Sequence, residues 1–417
     1  GSYAVNLPST SNSSVTHSAI AGSYSIAAIA MENSSSTVID SNVISGNPYY
    51  GINIRYSPNS SINFNTMDID WYAINAYDCY NINVNNNTIR LHNTSLKVGE
   101  RGIVFDYSSD AIIDGNNITS SQTSTSGRYI YSQDLNMSQT GAVVTNNILT
   151  VGSSYDSTQC NFSNYVSDYT GQYSRPYYIR AVELRNPTEF SNNTVTVSAY
   201  YQSGCVFIRN YNQDMAVDQL ISNNTLTLFT ADYYSENIHN ALNVTNDFSS
   251  IDSRNIVIEN NTFSLEGRSK SAVYLKSYND SYSWQGSIDF LNNTISLDPV
   301  PLYGCGGLDN SVQYSGIQLF TSNVNITSNT IIGAATGINI SSSNSYSNIV
   351  IDSNNIVAPS EITVNGQFGY ESSTYTVDDN YNYGVYAPSA ENIFIRHNTI
   401  RTGAGTVVYQ SGGASII

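Results

Sequence analysis

The sequence predicts an all-β protein, a single-domain parallel β-helix of about twelve coils, and two observations predict it. First, a short asparagine-centred segment recurs along the 417 residues, for example as Asn86-Asn87-Thr88-Ile89 and Asn292-Asn293-Thr294-Ile295. Second, short apolar alternations precede the copies, as in Val324-Asn325-Ile326. Recurrence of one segment indicates a solenoid, and a period of two with β-branched residues indicates strands.

Each copy is expected to form a corner between two strands, because asparagine tolerates the left-handed backbone conformation that turns need. Stacked in successive coils, the side-chain amides are expected to hydrogen-bond as a ladder. The predicted corners are Asn42, Asn65, Asn87, Asn116, Asn146, Asn193, Asn224, Asn261, Asn293, Asn329, Asn354 and Asn398.

A second strand signature lies between the corners and reads small-apolar-x-apolar, as in Gly51-Ile52-Asn53-Ile54 and Gly337-Ile338-Asn339-Ile340. Successive corners are separated by 22 residues (Asn65 to Asn87) to 47 residues (Asn146 to Asn193). Such variation indicates loops extending from a constant core, which favours a right-handed helix over a regular left-handed one. We expect one domain over residues 1–417, with Tyr-rich insertions near 152–178 and 358–388 and coils from about residue 20 onward.

The formal net charge is −17, and only 11% of the residues are charged. An acidic chain of this kind is not expected to bind nucleic acid or an anionic membrane. No apolar run reaches the length of a membrane span, so membrane insertion is not expected. The 34 tyrosines fall largely in turns and insertions, where they either cover the flank of the solenoid or form a binding or assembly surface.

Four cysteines are present, without a Cys-x-x-Cys pair, so a zinc site is not expected. Cys160 and Cys205 lie about one coil apart and are candidates for an intramolecular disulfide. Cys79 and Cys305 lie about seven coils apart, too far for the roughly 7 Å that a disulfide allows between Cα atoms. They are expected to pair between molecules or to remain free and buried.

About sixteen Asn-x-Ser/Thr sequons are present, which suits an exported glycoprotein, although an Asn/Ser/Thr-rich chain also generates sequons by chance. The glycosylation candidates are Asn12, Asn33, Asn59, Asn93, Asn136, Asn161, Asn243 and Asn279. Sequons within the corner segment, such as Asn223, are expected to lie too close to the core to be modified.

A search for catalytic, metal-binding or cofactor-binding residues leads to no assignment. Asp68 and Asp70 are the best carboxylate pair, two residues apart and therefore expected on one strand face, and Asp378-Asp379 forms a second acidic pair. The four histidines are scattered along the chain. We expect neither a catalytic residue, a metal ligand nor a cofactor site.

The repeat as a whole resembles the right-handed β-helices of the pectate-lyase-like superfamily. Its Ser-Asn-Asn-Thr-Ile spelling is similar to that of adhesin-like and sheath envelope proteins of methanogenic archaea. The resemblance covers nearly the whole chain but implies fold more strongly than activity, because the repeat encodes coil geometry. The catalytic residues of the superfamily find no matching positions here.

These observations predict a non-catalytic extracellular structural protein of a cell envelope, a sheath or surface-layer building block that associates with copies of itself. An alternative is an adhesin stalk or carbohydrate-binding protein that contacts envelope glycans or another cell surface. The alternative from a different class is a polysaccharide lyase, epimerase or hydrolase. An enzyme is expected to bring Asp, Arg and His from neighbouring coils together on one long face.

Overall fold

The structure is a computed structural model of the chain. It describes all residues except 93–100, 121–125, 134–140, 153–177, 200–202, 211–216, 231–239, 247–253, 268–270, 278–285, 299–314, 344, 360, 365–372, 377–381, 404, 412–414 and 417. The chain divides into two compact units, the first holding strands β1 to β22 and the second strands β23 to β43. Whether they form the single domain expected from the sequence stays a prediction.

The strands of the first unit are short, and they follow one another in groups of three. They are β1 (Tyr3–Pro8), β2 (Ser14–Thr16), β3 (Ala19–Ala21), β4 (Ala27–Glu32), β5 (Val38–Asp40), β6 (Val43–Gly46), β7 (Tyr50–Arg55), β8 (Ser61–Asn63), β9 (Thr66–Ile69), β10 (Tyr72–Tyr77), β11 (Asn83–Asn85), β12 (Thr88–Leu91), β13 (Arg101–Asp106), β14 (Ile112–Asp114), β15 (Asn117–Ser120), β16 (Ser126–Gln133), β17 (Val143–Thr145), β18 (Ile148–Val151), β19 (Tyr178–Arg185), β20 (Glu189–Ser191), β21 (Thr194–Ala199) and β22 (Ser203–Asn210).

The second unit follows the same plan, with one hairpin inserted. Its strands are β23 (Gln219–Ser222), β24 (Thr225–Thr230), β25 (Asn240–Asn246), β26 (Ile256–Glu259), β27 (Thr262–Gly267), β28 (Ser271–Ser277), β29 (Ile288–Leu291), β30 (Thr294–Asp298), β31 (Ser315–Phe320), β32 (Val324–Thr327), β33 (Thr330–Ile332), β34 (Thr336–Ile340), β35 (Ser347–Asp352), β36 (Asn355–Ala358), β37 (Glu361–Val364), β38 (Ser373–Thr376), β39 (Tyr383–Tyr386), β40 (Glu391–Arg396), β41 (Thr399–Thr402), β42 (Thr406–Tyr409) and β43 (Ser415–Ile416).

Every third strand pairs in parallel, so each unit has three sheets. In the first unit, sheet A1 is β1-β4-β7-β10-β13-β16-β19-β22, sheet B1 is β2-β5-β8-β11-β14-β17-β20, and sheet C1 is β3-β6-β9-β12-β15-β18-β21. In the second unit, sheet A2 is β25-β28-β31-β34-β39-β42, sheet B2 is β23-β26-β29-β32-β35-β40-β43, and sheet C2 is β24-β27-β30-β33-β36-β41. One strand from each sheet makes one coil, and the fold is a parallel β-helix.

The core of each unit consists of columns of similar apolar side chains that stack from coil to coil. In sheet A1, Ile29, Ile52, Ile74 and Ile103 are in register and none of them is exposed. Because each such side chain packs against its equivalents in the neighbouring coils, the core is continuous within the unit and is stabilised mainly by contacts between adjacent repeats.

The small residue of the second strand signature lies where a strand of the A sheets passes close to the third strand of a coil. A Cβ atom added at Gly337 or Gly384 would approach the next coil's backbone carbonyl to 2.6 Å, and it would also collide with Ile356 Cγ2 or Ile400 Cγ2. A larger side chain therefore does not fit at these positions, which explains the signature physically.

Two features of the chain differ from the expectation. The coils begin earlier than predicted, because β1, β2 and β3 already form a complete coil between Tyr3 and Ala21. Within the second predicted insertion, β37 and β38 pair antiparallel, whereas β39 is part of sheet A2. The first insertion, near 152–178, lies almost wholly outside the described residues.

Candidate functional site: an internal amide ladder and an aromatic face

The corner between the B and C sheets carries a one-directional ladder of asparagines, which are buried apart from the half-buried Asn398. Within each unit, every ladder asparagine that is followed by another donates its backbone N–H to Oδ1 of the next one, at 2.7–3.0 Å, and its Nδ2 to the same oxygen, at 2.9–3.1 Å. In the first unit the ladder is Asn42, Asn65, Asn87, Asn116, Asn147 and Asn193; in the second it is Asn224, Asn261, Asn293, Asn329, Asn354 and Asn398.

The same amide also ties each coil to the coil before it. Nδ2 of Asn65, for example, donates to the backbone carbonyl of Ile39 at 2.9 Å, and Nδ2 of Asn87 donates to that of Ile62 at 2.8 Å. A buried polar group is costly unless it is hydrogen-bonded, and here each amide satisfies backbone groups that the corner removes from the sheets. The ladder therefore allows a tight corner inside a closed core.

The structure corrects the sequence analysis at Asn146, because the ladder residue of that coil is Asn147. Asn146 is exposed, and its backbone is left-handed, with φ of 56°. The same division holds in every corner. The left-handed residue precedes the ladder residue, and in chain order these residues are Ser41, Phe64, Asn86, Gly115, Asn146, Asn192, Asn223, Asn260, Asn292, Ser328, Ser353 and His397.

The coil formed by β1, β2 and β3 lacks an asparagine at this corner. His17 takes the left-handed conformation there, and the backbone N–H of Ser18 donates to Asn42 Oδ1 at 3.0 Å. This coil could not be recognised from the asparagine repeat, since serine occupies the ladder position.

A second ladder, of hydroxyl groups and one thiol, follows the end of the strands of sheet A1. The backbone N–H of Ser34 donates to Ser57 Oγ at 2.9 Å, that of Ser57 donates to Cys79 Sγ at 3.5 Å, and that of Cys79 donates to Ser108 Oγ at 3.1 Å. Cys79 Sγ in turn donates to the carbonyl of Tyr77 at 3.3 Å. Cys79 therefore takes the place of a serine.

The cysteine predictions have different outcomes. Cys79 is free and buried, which agrees with the second of the two alternatives expected for it, and burial raises the pKa of its thiol to about 11. Cys205 is fully buried within β22, and burial raises the pKa of its thiol as well. Their proposed partners, Cys160 and Cys305, lie outside the described residues.

The outer face of sheet A1 carries an aromatic cluster at the start of strands β7 and β10. Tyr72 packs with Tyr50, Trp71 and the outward-facing Val104. The ring of Tyr49 lies 5.5 Å from that of Trp71 and 5.3 Å from that of Tyr72. The cluster is joined by the guanidinium of Arg101, 5.2 Å above the Tyr72 ring. Burial, followed by the neighbouring Tyr49 and Tyr72, raises the pKa of Tyr50 to about 12.

A second group of rings lies at the other end of the same strands, roughly 16 Å away at about 3.3 Å per residue. The ring of Tyr77 is 5.8 Å from that of Tyr56 and 5.4 Å from that of Tyr107, both in edge-to-face geometry. Arg55 lies 5.2 Å above Tyr77. Tyr56 and Tyr107 are 40% and 48% exposed, and both have left-handed backbones, as do Asn33 and Asp78 at the equivalent turn of neighbouring coils.

Between the two groups of rings lies a pair of amides. Asn75 Nδ2 donates to Asn53 Oδ1 at 2.9 Å, and both residues alternate along their strands with buried core residues, so that they face outward. We call these rings, the amide pair, Arg55 and Arg101 the aromatic face. It combines apolar ring surface, amide hydrogen-bonding groups and cations on the side of one sheet.

Further cations follow along the same sheet. Arg101, Arg128 and Arg180 are in register on β13, β16 and β19. Arg180 Nη1 lies 2.9 Å from the buried carboxylate of Glu183, and Arg209 Nε lies 3.8 Å from it. In a chain with a net charge of −17 and 15 Lys and Arg residues, sheet A1 thus carries several arginines, of which Arg180 and Arg209 lie beside the Glu183 carboxylate.

The comparisons with known proteins bear on the fold. Residues 1–155 match the model of the right handed beta helix region family. No curated protein and no solved structure matches the chain. The matched part of this β-helix contains both the aromatic face and the first ladder rungs from Asn42 to Asn147.

The carboxylates considered from the sequence lie in separate places on the β-helix. Asp68 and Asp70 were expected to share one face of a strand, and this expectation was wrong. Strand β9 ends at Ile69, so Asp70 lies beyond the strand. Asp68 Oδ1 instead lies 2.6 Å from Nε2 of His92, the residue that follows strand β12. Asp378-Asp379 lies outside the described residues.

One cluster of charged and polar side chains in the second unit was missed by sequence reasoning. Asp352 contacts Arg396 Nε at 2.9 Å and His397 Nδ1 at 3.0 Å. These partners belong to the following coil, 44 and 45 residues later, so only the coil register brings them together. Among the described residues, no group of three His, Cys, Asp or Glu side chains is placed to hold a metal ion.

The predicted glycosylation sites also fall in different environments. Asn12, Asn33 and Asn59 are exposed and left-handed. Asn243 is a correction, since it lies in β25 and is only 8% exposed, which leaves no room for a glycan in the folded chain. Asn93, Asn136, Asn161 and Asn279 lie outside the described residues.

Within the part of the chain that the structure describes, no helix has the length and apolar character needed to cross a membrane.

Proposed function

We propose that the chain is a non-catalytic extracellular structural protein of a cell envelope, a sheath or surface-layer component that associates with copies of itself. The aromatic face is the observation that carries this proposal. It joins exposed rings to Arg55 and Arg101 on a chain whose net charge is −17. Aromatic residues and arginine are the side chains most enriched at protein interfaces.

The occupant proposed for the aromatic face is an acidic surface of a second copy. Because the arginines and rings of the aromatic face on one copy meet a different, acidic surface on the next, the contact is heterologous, and heterologous contacts can continue into extended assemblies. The internal ladders support the same role, since they join successive coils by buried hydrogen bonds instead of presenting reactive groups.

Sedimentation velocity of the full chain over a range of concentrations tests this proposal. Replacing Arg55 and Arg101 together by glutamate is expected to abolish assembly, and raised salt is expected to weaken it in the unaltered chain. Arg90→Glu is the matched control, because Arg90 lies exposed on β12 of sheet C1, away from the aromatic face. Assembly that persists in the double variant, or that is lost equally in the control, contradicts the proposal.

The second candidate function is carbohydrate binding by an adhesin-like or carbohydrate-active surface protein. The Asn53–Asn75 amide pair favours it, because flanking rings can stack on sugar faces while the amides bond to hydroxyl groups. Titration of polysaccharides against the fluorescence of Trp71, with Trp71→Phe as the control, tests this candidate. Saturable binding by a chain that remains monomeric would favour it over self-association.

A further inference from the structure

Eight sequon asparagines share one backbone conformation, each being the left-handed residue of a corner or turn. They are Asn12, Asn33, Asn59, Asn86, Asn192, Asn223, Asn260 and Asn292, with φ between 51° and 57°. All eight are exposed. The last five lie directly before a ladder asparagine, in the corner that the sequence analysis considered too close to the core.

In these five corners the first and third residues of the sequon are exposed, whereas the middle residue is buried. In Asn223-Asn224-Thr225, Asn223 and Thr225 are exposed, whereas Asn224 is 1% exposed and belongs to the ladder. The corner is tight enough that the chain buries the middle residue and turns the first and third outward. Asn86-Asn87-Thr88, Asn192-Asn193-Thr194, Asn260-Asn261-Thr262 and Asn292-Asn293-Thr294 repeat this pattern.

We propose that the exposed left-handed asparagine of these corners, at Asn86, Asn192, Asn223, Asn260 and Asn292, is an N-glycosylation site, so that glycans line the corner between the B and C sheets. The sequon supplies both groups that the transfer uses, namely the asparagine amide and the hydroxyl two residues later. Because the ladder residue between them is buried and hydrogen-bonded, the backbone fixes the positions from which the exposed amide and hydroxyl side chains extend.

The chemical step requires a sugar donor carried on a lipid phosphate. Nδ2 of the asparagine forms a bond to the anomeric carbon of the sugar and loses one proton. The bond from that carbon to the phosphate oxygen breaks, and the lipid phosphate leaves with the bonding electrons. The step involves no oxidation or reduction, and the product is a neutral amide that needs no partner from the protein.

The position is compatible with the ladder and with the aromatic face. The ladder asparagine keeps its hydrogen bonds, because the modified amide is that of the preceding residue. In the first unit the glycans attach at the corner between sheets B1 and C1, whereas the aromatic face lies on sheet A1. Asn223, Asn260 and Asn292 lie on successive coils, so that their glycans attach about 4.8 Å apart and cover the corner continuously.

Expression of the full chain in a secretory host with N-glycosylation, followed by mass spectrometry of its peptides, tests the geometry. A flexible tail with one added sequon shows whether the host enzymes acted on the chain. We expect glycans on the five corner asparagines and none on Asn243, the buried sequon in β25. A modified tail with unmodified corners overturns the proposal.

Ser328→Asn provides a gain-of-function test. Ser328 occupies the same left-handed, exposed position before Asn329 and Thr330, so the substitution completes a sequon without disturbing the ladder. The variant is expected to gain one glycan at residue 328, while Ser328→Ala gains none. Asn146, which is left-handed and exposed but followed two residues later by Ile148, is the internal control expected to stay unmodified.

In the native cell, glycosylation of the corners rests on the export proposed above. Cell fractionation distinguishes a failure of export from a failure of glycosylation. If the native chain is found inside the cell and is unmodified, export is wrong, although the result from the secretory host still stands. If the chain is exported and all corner asparagines are bare, the glycosylation proposal is wrong and the envelope role remains.

Discussion

Asn87 Oδ1 accepts two hydrogen bonds from Asn65, one from its backbone N–H at 2.9 Å and one from its Nδ2 at 3.0 Å. A single side-chain oxygen thus connects two coils through both the main chain and a side chain of its neighbour. The cost of leaving a buried donor or acceptor unsatisfied is about 1–3 kcal/mol, so each rung contributes substantially to the stability of its unit.

Replacing Asn87 by alanine removes the acceptor of Asn65 and the donor to the Ile62 carbonyl. We expect the free energy of unfolding to fall by about 2–4 kcal/mol, from the cost of the unsatisfied partners. Urea unfolding followed by circular dichroism measures the change. Asn83→Ala, on the half-exposed outer side of β11, is the control and should change stability by less than about 0.5 kcal/mol. Equal effects would falsify the assignment of the ladder as a stabilising element.

Replacing Ser18 by asparagine should extend the ladder by one rung. The backbone N–H of Ser18 already donates to Asn42 Oδ1 at 3.0 Å, and an asparagine amide at this position can add a second bond to the same oxygen. One additional hydrogen bond is expected to raise the free energy of unfolding by about 0.5–1.5 kcal/mol. Thermal unfolding checks this result, with Ser18→Ala as the control that should be neutral or slightly destabilising.

Cys79→Ser should preserve the fold, because Ser57 and Ser108 occupy the same position in adjacent coils. Cys79→Val should be destabilising, since it removes the acceptor of the Ser57 N–H. In the unaltered chain, the pKa of about 11 predicts a thiolate fraction at neutral pH about 100-fold below that of an ordinary thiol. Thiol-reagent kinetics with and without denaturant measure this difference, and fast labelling of the native chain would contradict it.

Tyr50 should contribute a loss of stability at high pH. Its folded pKa of about 12 lies above the ordinary value of 10.0, so the folded state favours the neutral phenol. The corresponding stability is fully present below pH 10 and is lost as the pH rises toward 12. Urea unfolding at several pH values, combined with tyrosinate absorbance, tests this dependence. Tyr50→Phe should show a smaller loss between the two pH values than the unaltered chain.

The repeat fold could be predicted from sequence because the core residues and the corner asparagines recur together. Which of two adjacent asparagines enters the ladder was not decided by the sequence alone. The choice between Asn146 and Asn147 was wrong because asparagine suits both positions of a corner. Its backbone tolerates the left-handed position, and its side chain suits the ladder position. The coil at Ser18 was missed because its ladder position holds a serine. The backbone N–H of Ser18 is enough to bond to Asn42 Oδ1, so no asparagine marks this coil in the sequence.

The aromatic face could not be predicted, because its members are separated in sequence and are joined only by the coil register. Tyr50, Tyr72 and Arg101 come from three coils with 22 and 29 residues between them. Likewise, Asp352 and His397 lie 45 residues apart. Variable loop lengths between coils conceal such neighbours until the strand pairing is known.

In each corner of the ladder, two consecutive residues have different roles: the first takes the left-handed backbone conformation and the second supplies the ladder side chain. The second residue is asparagine in every corner from Asn42 to Asn398, whereas the first is variously Ser41, Phe64, Gly115 or His397. The exposed residue can therefore diverge without loosening the scaffold. A lineage of such chains can change what its surface displays, rung by rung, while inheriting the same interior.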